Sequence, residues 1–223
     1  MIKIKKLGKD DLEDILRIET KAFIPPIQAD KKVIGDRLNK NHIYLGAFIE
    51  GNTDLLVGTV ACRQDQFVLD FADFITRYPN FEKWANRRSN SIANALFIYS
   101  LGVVPEYRNG IVAKALIGKA LEVAQLQKKD FFVGDMRIPS YNGSRYPGFE
   151  KIEQNKDVKS TMDKSLLSGN TISIKELAQD PIVGFYLRIL PKLRALGITD
   201  ANFLEKDVPS GGRRVIVYQD LQK

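Results

Sequence analysis

Polar and apolar residues alternate in MIKIKKL, placing Ile2 and Ile4 on one face of a short opening strand. The period then changes. In DDLEDILRIETKAF, Leu12, Ile15, Leu16, Ile18 and Phe23 recur at helical spacing, and Asp10 or Asp11 suits the N-cap. Pro25-Pro26 ends that helix, and a second is predicted from Asp30 to about Asn39. HIYLGAFIE and DLLVGTVACRQ read as two strands joined through EGNTD, a hairpin signal built on Gly51 and Asn52. Residues 65–92 are aromatic-rich and less regular. They are read as an insertion holding one or two short helices, because ANALFIYSLGVV resumes a strong strand. The clearest helix runs from Gly110 to Gln127, with Val112, Ala115, Leu116, Leu121 and Ala124 on or near one face. FFVGDM is a short buried strand, and strand, helix and strand in succession predict a parallel βαβ crossover.

The polar stretch from Pro139 to Asp180 is too long to be an idle connection, which predicts a lid, a binding segment or partial disorder. A helix is expected from about Pro181 to Leu196, with proline in its first turn. ITDANFLEKDV and RRVIVYQDL then read as two closing strands around SGG. The order β-α-α-β-β-β-α-β-α-β-β predicts an α/β fold in one domain, residues 1–223, with insertions at about 65–92 and 140–180.

Composition narrows the chemistry. One cysteine, Cys62, excludes an intramolecular disulfide, and one histidine, His42, argues against a histidine-rich metal site or a Ser-His-Asp triad. No metal is expected. Cys62 reads as a packed thiol and His42 as a strand-edge residue. Trp84 and its aromatic neighbours read as an anchor for the insertion or as the lining of a pocket. The net charge of +7 reads first as a solvated lysine surface and second as attraction for a phosphorylated cofactor or nucleic acid. Basic runs stay short, as in Lys5-Lys6, Arg87-Arg88 and Arg213-Arg214, and aromatics do not interleave with them, so nucleic acid is not expected. The charged start is no secretory signal, and the apolar run from Ala93 to Val104 is too short to span a bilayer. A cytoplasmic location without membrane contact is expected.

One stretch carries most of the chemistry: SLGVVPEYRNGIVAKALIGKA, Ser100 to Ala120. A strand ends at Pro105 and a helix starts within a few residues, so unpaired backbone N–H groups meet the positive end of a helix dipole. Such a turn binds anions, phosphate above all. Gly110 allows close approach, Arg108 adds a cation, and Ala113 and Ala115 keep the first turn slim. The spacing matches neither G-x-G-x-x-G nor a Walker loop, which disfavours dinucleotide folds and nucleotide triphosphatases.

The element order and LGVVPEYRNGIVAKAL resemble the GCN5-related N-acetyltransferases, whose central motif is a strand, V-x-P-x-[YF]-R/Q and a pyrophosphate loop x-x-G-x-[GA]. Val103, Pro105, Tyr107, Arg108 and Ala113 match, and Asn109, Gly110, Ile111 and Val112 fill the loop. Ile111 stands where that family has its glycine, with Gly110 one place earlier. ETKAF followed by PP resembles the family's first helix and acceptor-side loop, and FYLRILPKLRALGI its late helix. DMRIPSY and DPIVGFYL are also similar to acetyltransferase-like domains fused to nitrilase-type amidohydrolases. The resemblance implies the acyl-CoA N-acyltransferase fold, a mixed, mostly antiparallel central sheet flanked by helices. It implies acetyl transfer from acetyl-CoA to a primary amine by direct attack, without a metal.

The resemblance also assigns roles. Leu101 and Val103 would pair with the pantetheine arm through their main chain, and the N–H near Leu101 would face the thioester oxygen. Arg108, Asn109, Gly110, Ile111, Val112 and Ala113 would hold the pyrophosphate. Tyr186 corresponds to the tyrosine that protonates the departing thiolate. The family's glutamate falls at Tyr99, a poor base, which leaves the base absent, relayed by water, or supplied by Glu19 or Asp135. Phe23, Tyr99, Asp135, Arg137 and Tyr141 are the expected acceptor-side residues, Arg137 to pair with an acceptor carboxylate or phosphate. The expected partners are a small-molecule or peptide amine and a second copy of the chain in a homodimer. A non-catalytic acyl-CoA-binding or regulatory module is the alternative.

Overall fold

A computed structural model describes residues 1–51, 54–146, 149–168, 172–207 and 210–223. The chain divides into two compact units, Met1–Gln66 with Ala85–Phe132, and Phe67–Trp84 with Val133–Lys223. The expected turn at Gly51-Asn52 lies in part outside the described residues.

In the first unit the order is β1 (Ile2–Leu7), α1 (Leu12–Ala22), α2 (Lys31–Asn39), β2 (Ile43–Ile49), β3 (Leu55–Asp65), β4 (Ala95–Val103) and α5 (Ile111–Leu126), with two short helices, α3 (Phe71–Arg77) and α4 (Phe81–Ala85), intervening after β3. Strands β1 to β4 pair in sequence order, all antiparallel, with Leu45 opposite Val60 and Val60 opposite Leu101. Two glycines show how the helices lie on this sheet. A Cβ on Gly102 would sit 3.0 Å from Ala22 Cβ and 3.2 Å from Phe23 Cε2, so α1 rests on that face. A Cβ on Gly58 would meet Val112 Cγ1 at 3.0 Å, so α5 rests on the other. Gly102 pairs with Thr59, the neighbour of Gly58, and successive strand residues face opposite ways. The two helices therefore sandwich the sheet. Ile15, Ile18 and Ala22 of α1 and Val112, Leu116, Ile117, Ala120 and Ala124 of α5 are buried, as the apolar periodicity required. The N–H groups of Asp130 and Phe131 both donate to Asn94 O, at 2.7 and 3.2 Å, so α5 returns the chain to the beginning of β4. That return is what a βαβ crossover needs.

The second unit contains α3 (Phe71–Arg77) and α4 (Phe81–Ala85), then β5 (Phe131–Met136), β6 (Ser144–Tyr146), β7 (Phe149–Ile152), α6 (Lys156–Ser168), α7 (Pro181–Ile189), β8 (Arg194–Ile198) and β9 (Val215–Asp220), β5 and α4 straddling the division. Strands β5, β9 and β8 are neighbours in that order, with β8 and β9 antiparallel, and β6 and β7 form a separate hairpin. The aromatic insertion is an anchor. Phe74, Tyr78, Trp84 and Phe203 are buried together, Phe74 to Trp84 at 6.2 Å and Trp84 to Phe203 at 6.1 Å between ring centres.

Three expectations need correction. The helix from Pro181 stops at Ile189, because Pro191 has no N–H and constrains Leu190 away from helical geometry. The strand that follows is Arg194–Ile198, and most of ITDANFLEKDV forms turns closed by Leu204 N–H to Gly212 O and Gly212 N–H to Asp207 O. Gly211 and Gly212 both take positive φ, 58° and 74°, which the reversal demands. Residues 140–180 are also more regular than expected, since they hold the β6–β7 hairpin and α6, whose Val158 and Met162 are buried.

Candidate functional site

Strand β4 ends in the turn of interest. Val104 N–H donates to Val57 O at 3.0 Å, a 3-10 turn spans Pro105–Tyr107, and Gly110 is the N-cap of α5 with φ 86° and ψ −20°. That left-handed geometry is open to glycine at no steric cost. Helix α5 has 16 residues and its first internal bond runs from Lys114 N–H to Gly110 O. Its orphan donors are therefore the N–H groups of residues 110 to 113. Asn109 Oδ1 takes the one on Ile111 at 3.0 Å, which leaves Gly110, Val112 and Ala113 facing the end of the dipole. The Ile111 side chain is 60% exposed, so isoleucine at the position of the family's glycine does not fill the cradle.

Arg108 is a correction. Its guanidinium turns inward, with Nε donating to Val103 O at 2.9 Å and Nη2 to Ala22 O at 2.8 Å. It ties the turn to β4 and to the C-terminal carbonyls of α1, groups that otherwise lack partners. Arg108 builds the cradle from behind, and the donors that face outward are main-chain ones. A surface hollow of about 480 Å³ opens beside the turn, lined by Arg17, Lys21, Leu55, Leu56, Val57, Val104, Glu106 and Tyr107. Residues 108–113 do not line it.

Two residues before Leu101 the β4 register skips. Ser100 pairs with Ala61 and Ile98 with Cys62, so Tyr99 is the extra residue of a β-bulge. Bulges re-aim side chains, and they favour active-site margins. Tyr99 is only 4% exposed, and its hydroxyl lies 2.8 Å from His42 Nδ1. His42 Nε2 lies 2.6 Å from Arg87 O, which can only accept, so Nε2 carries the proton and Nδ1 accepts from Tyr99. Burial pushes His42 down to about 4, keeping it neutral and fixing that direction. Tyr44 Oη lies 3.4 Å from Tyr99 Oη, and Arg37 sits over the Tyr99 ring at 5.0 Å while its Nε donates to Asn86 Oδ1 at 2.9 Å. Burial raises the Tyr99 hydroxyl well above its ordinary range. Tyr99 is thus a buried link in a saturated chain, which corrects its expected place against the acceptor. His42 belongs to the same chain. Its burial was not legible at a strand edge, although its position just before an apolar run was a hint. Cys62 is a buried thiol pushed up by desolvation, in keeping with packing.

Glu19 lies on the buried face of α1, and its Oε1 accepts from Ala29 N–H at 2.9 Å. Burial raises its pKa, opposed by that hydrogen bond and by Arg37. Phe23 closes α1 and packs on Gly102, next to Leu101.

The other expected site residues belong to the second unit. Asp135 accepts from Arg214 Nε at 2.9 Å, and Arg214 also pairs with Asp207. Arg137 grips Asp207 through Nε at 2.9 Å and through Nη2. The expected acceptor role of Arg137 is corrected to an internal ion pair, and Asp135 shares in the same network. Burial raises Asp135 to about 6 in spite of Arg214. Burial acts on Asp207 too, but Arg214 and Arg137 together hold it below the usual carboxylate range. Tyr141 is buried and donates to Asp163 Oδ1 at 2.7 Å, under the Lys159 ammonium. Tyr186 is half-buried on α7 and packs edge-on against Phe185 at 5.7 Å.

No protein-family model matches the sequence, and no curated protein does. Solved structures do. The loading GNATL domain of CurA from Lyngbya majuscula superposes with a TM-score of 0.68 at 16% identity, over 100% of this chain and 98% of that one. The GphF GNAT-like decarboxylase, in complex with isobutyryl-CoA, gives 0.67 at 17%, over 98% and 99%. The ribosomal-protein-S18-alanine N-acetyltransferase from Escherichia coli gives 0.57 at 10%, over 99% and 94%.

The chain has the GCN5-related N-acetyltransferase fold.

Strand β4, the turn that follows it and helix α5 succeed one another in this chain as the strand, loop and helix expected from the sequence. Among the described residues no helix is long and apolar enough to cross a membrane, and no His/Cys/Asp/Glu group is arranged to hold a metal.

Proposed function

We propose that this protein binds an acyl-CoA and transfers its acyl group to an amine. One observation carries the reading: three outward main-chain donors at the N-terminus of α5, next to a bulged β4, in a chain with this fold along its whole length. The N–H groups of Gly110, Val112 and Ala113 suit the pyrophosphate, and the main chain of Leu101 and Val103 suits the amides of the pantetheine arm. The Leu101 N–H is the proposed donor to the thioester oxygen as charge builds there. Bound acyl-CoA supplies an activated carbonyl and a thiolate leaving group. Tyr186 is proposed as the proton donor to that thiolate, on the strength of the sequence resemblance. The proposed acceptor is a small-molecule or peptide amine, and acetyl is the first acyl group to test.

A second reading has its own support. The larger superpositions are with a loading domain and a decarboxylase rather than with an N-acetyltransferase. On that reading a carboxylated acyl-CoA loses carbon dioxide at the same cradle, and the carbanion takes a proton. Calorimetric titration with acetyl-CoA tests the shared step. Incubation with malonyl-CoA, followed by mass spectrometry for acetyl-CoA, separates the two chemistries. Binding without turnover of either thioester leaves a non-catalytic acyl-CoA module. No binding at millimolar ligand refutes the proposal.

A further inference from the structure

Helix α1 presents one carboxylate to the buried side of the sheet. Glu19 is 8% exposed, and a residue of this type is almost never buried without a partner. Oε1 is held by the Ala29 N–H of the α1–α2 loop, while the other oxygen meets no hydrogen-bond donor among the described residues. Glu19 is not sealed off, since that 8% of its surface stays open to solvent. A half-satisfied carboxylate with residual access needs a donor from outside, preferably a cationic one.

Its surroundings place it beside the reacting segment. Ile18, Ala22 and Phe23, one residue before and three and four after Glu19, all lie within 3.5 Å of the Cβ position on Gly102, the residue after Leu101. Arg108 Nη2 binds Ala22 O, so this end of α1, β4 and the anion cradle are held together within one unit. The ionisable groups facing Glu19 are Arg37 from α2 and Tyr44 from β2, with Tyr99 from β4 behind them. Both tyrosines are raised by burial and stay neutral, so Arg37 is the charge that acts on Glu19. Gln28 Nε2 bonds Thr20 O and Phe23 O and pins the loop that supplies the Ala29 N–H.

We propose that Glu19 is the base that accepts a proton from an ammonium acceptor. The inference rests on the transferase reading above and deepens it, because it names the acceptor as a protonated amine. The ammonium gives one proton to Glu19. The nitrogen lone pair then forms the C–N bond, the C–S bond breaks, and the sulfur carries off its electron pair. The thiolate takes its proton from Tyr186, the second amine proton restores the Tyr186 hydroxyl, and Glu19 returns its own to water. One amide, one thiol and one free proton result.

Burial raises Glu19 and Arg37 opposes the rise, so removing the cation must move the titration further up. Carbon-13 NMR titration of the Glu19 carboxyl tests this without turnover. It should titrate above an ordinary glutamate in the native chain, and higher still in Arg37→Gln. In parallel, acetyl-CoA is incubated with spermidine, a lysyl peptide and a peptide with a free N-terminus, and thiol release is followed. The acidic limb of kcat/KM should follow the NMR titration, and Glu19→Gln should lower kcat at least 100-fold with acetyl-CoA affinity within threefold. An ordinary Glu19 titration overturns the inference, as does turnover of Glu19→Gln within threefold of the native chain. Acetyl-CoA binding with none of these amines acylated overturns it as well. Loss of acetyl-CoA binding by the native chain instead refutes the transferase reading itself.

Discussion

Ile111→Glu separates folding from ligand binding at the cradle. Ile111 is the first helical residue of α5, and its side chain is 60% exposed, so the substitution opens no cavity. A carboxylate there complements the helix dipole, worth about 0.3–1 kcal/mol of stability. The same carboxylate opposes an anion bound on the N–H groups of Val112 and Ala113. At a separation of about 7 Å and an effective dielectric constant of about 40, each ligand charge costs roughly 1.2 kcal/mol. A pyrophosphate with two charges then loses about 2.4 kcal/mol, or roughly 60-fold in Kd. Calorimetric titration with CoA at low salt gives the affinity ratio, and thermal melting gives the stability. The native and variant proteins should melt within a few degrees of each other while their Kd values part. Near 1 M salt the Debye length is about 3 Å, and the gap should close. Equal Kd values at low salt would show that the anion does not sit on this helix terminus.

Arg108→Met should act on stability instead. It removes two charge-assisted bonds to Val103 O and Ala22 O, so urea denaturation should show a loss of about 2–4 kcal/mol, and an unchanged midpoint would deny the bracing role. Tyr186→Phe should lower turnover about 100-fold or more with CoA affinity near normal, and an intact turnover number returns Tyr186 to packing. His42 has a folded pKa below its unfolded one, so its contribution is full above about pH 6.5 and is lost as pH falls toward 4, to the extent of about 3 kcal/mol. Asp135 is shifted the other way and adds stability as pH falls from about 6 to 4, so the two offset each other in the native chain. The difference between native and His42→Gln stabilities across pH 4–7 isolates the histidine, and a difference that does not vary with pH would contradict a neutral buried imidazole.

The sequence by itself determined most of the local elements and the strand-to-helix turn after β4. The apolar period of 3.6 fixed α1 and α5, alternation fixed the strands, and the crowding of Pro105, Gly110 and small residues fixed the strand-to-helix turn, because each depends on neighbours a few residues away. The roles of the charged side chains were settled by tertiary structure. Arg108 reads as a ligand cation in sequence, yet α1 brings it the Ala22 carbonyl from 86 residues away and turns it inward. Arg137 meets Asp207 across 70 residues, and Asp135 meets Arg214 across 79. Tyr99 and His42, 57 residues apart, become donor and acceptor only because β2 and β4 flank β3 and the β4 bulge re-aims Tyr99. A buried charge must find its partner within a few ångströms, and folding rather than sequence spacing decides which one that is. Glu19 follows the same rule, since the α1–α2 loop brings its carboxylate the Ala29 N–H from 10 residues away.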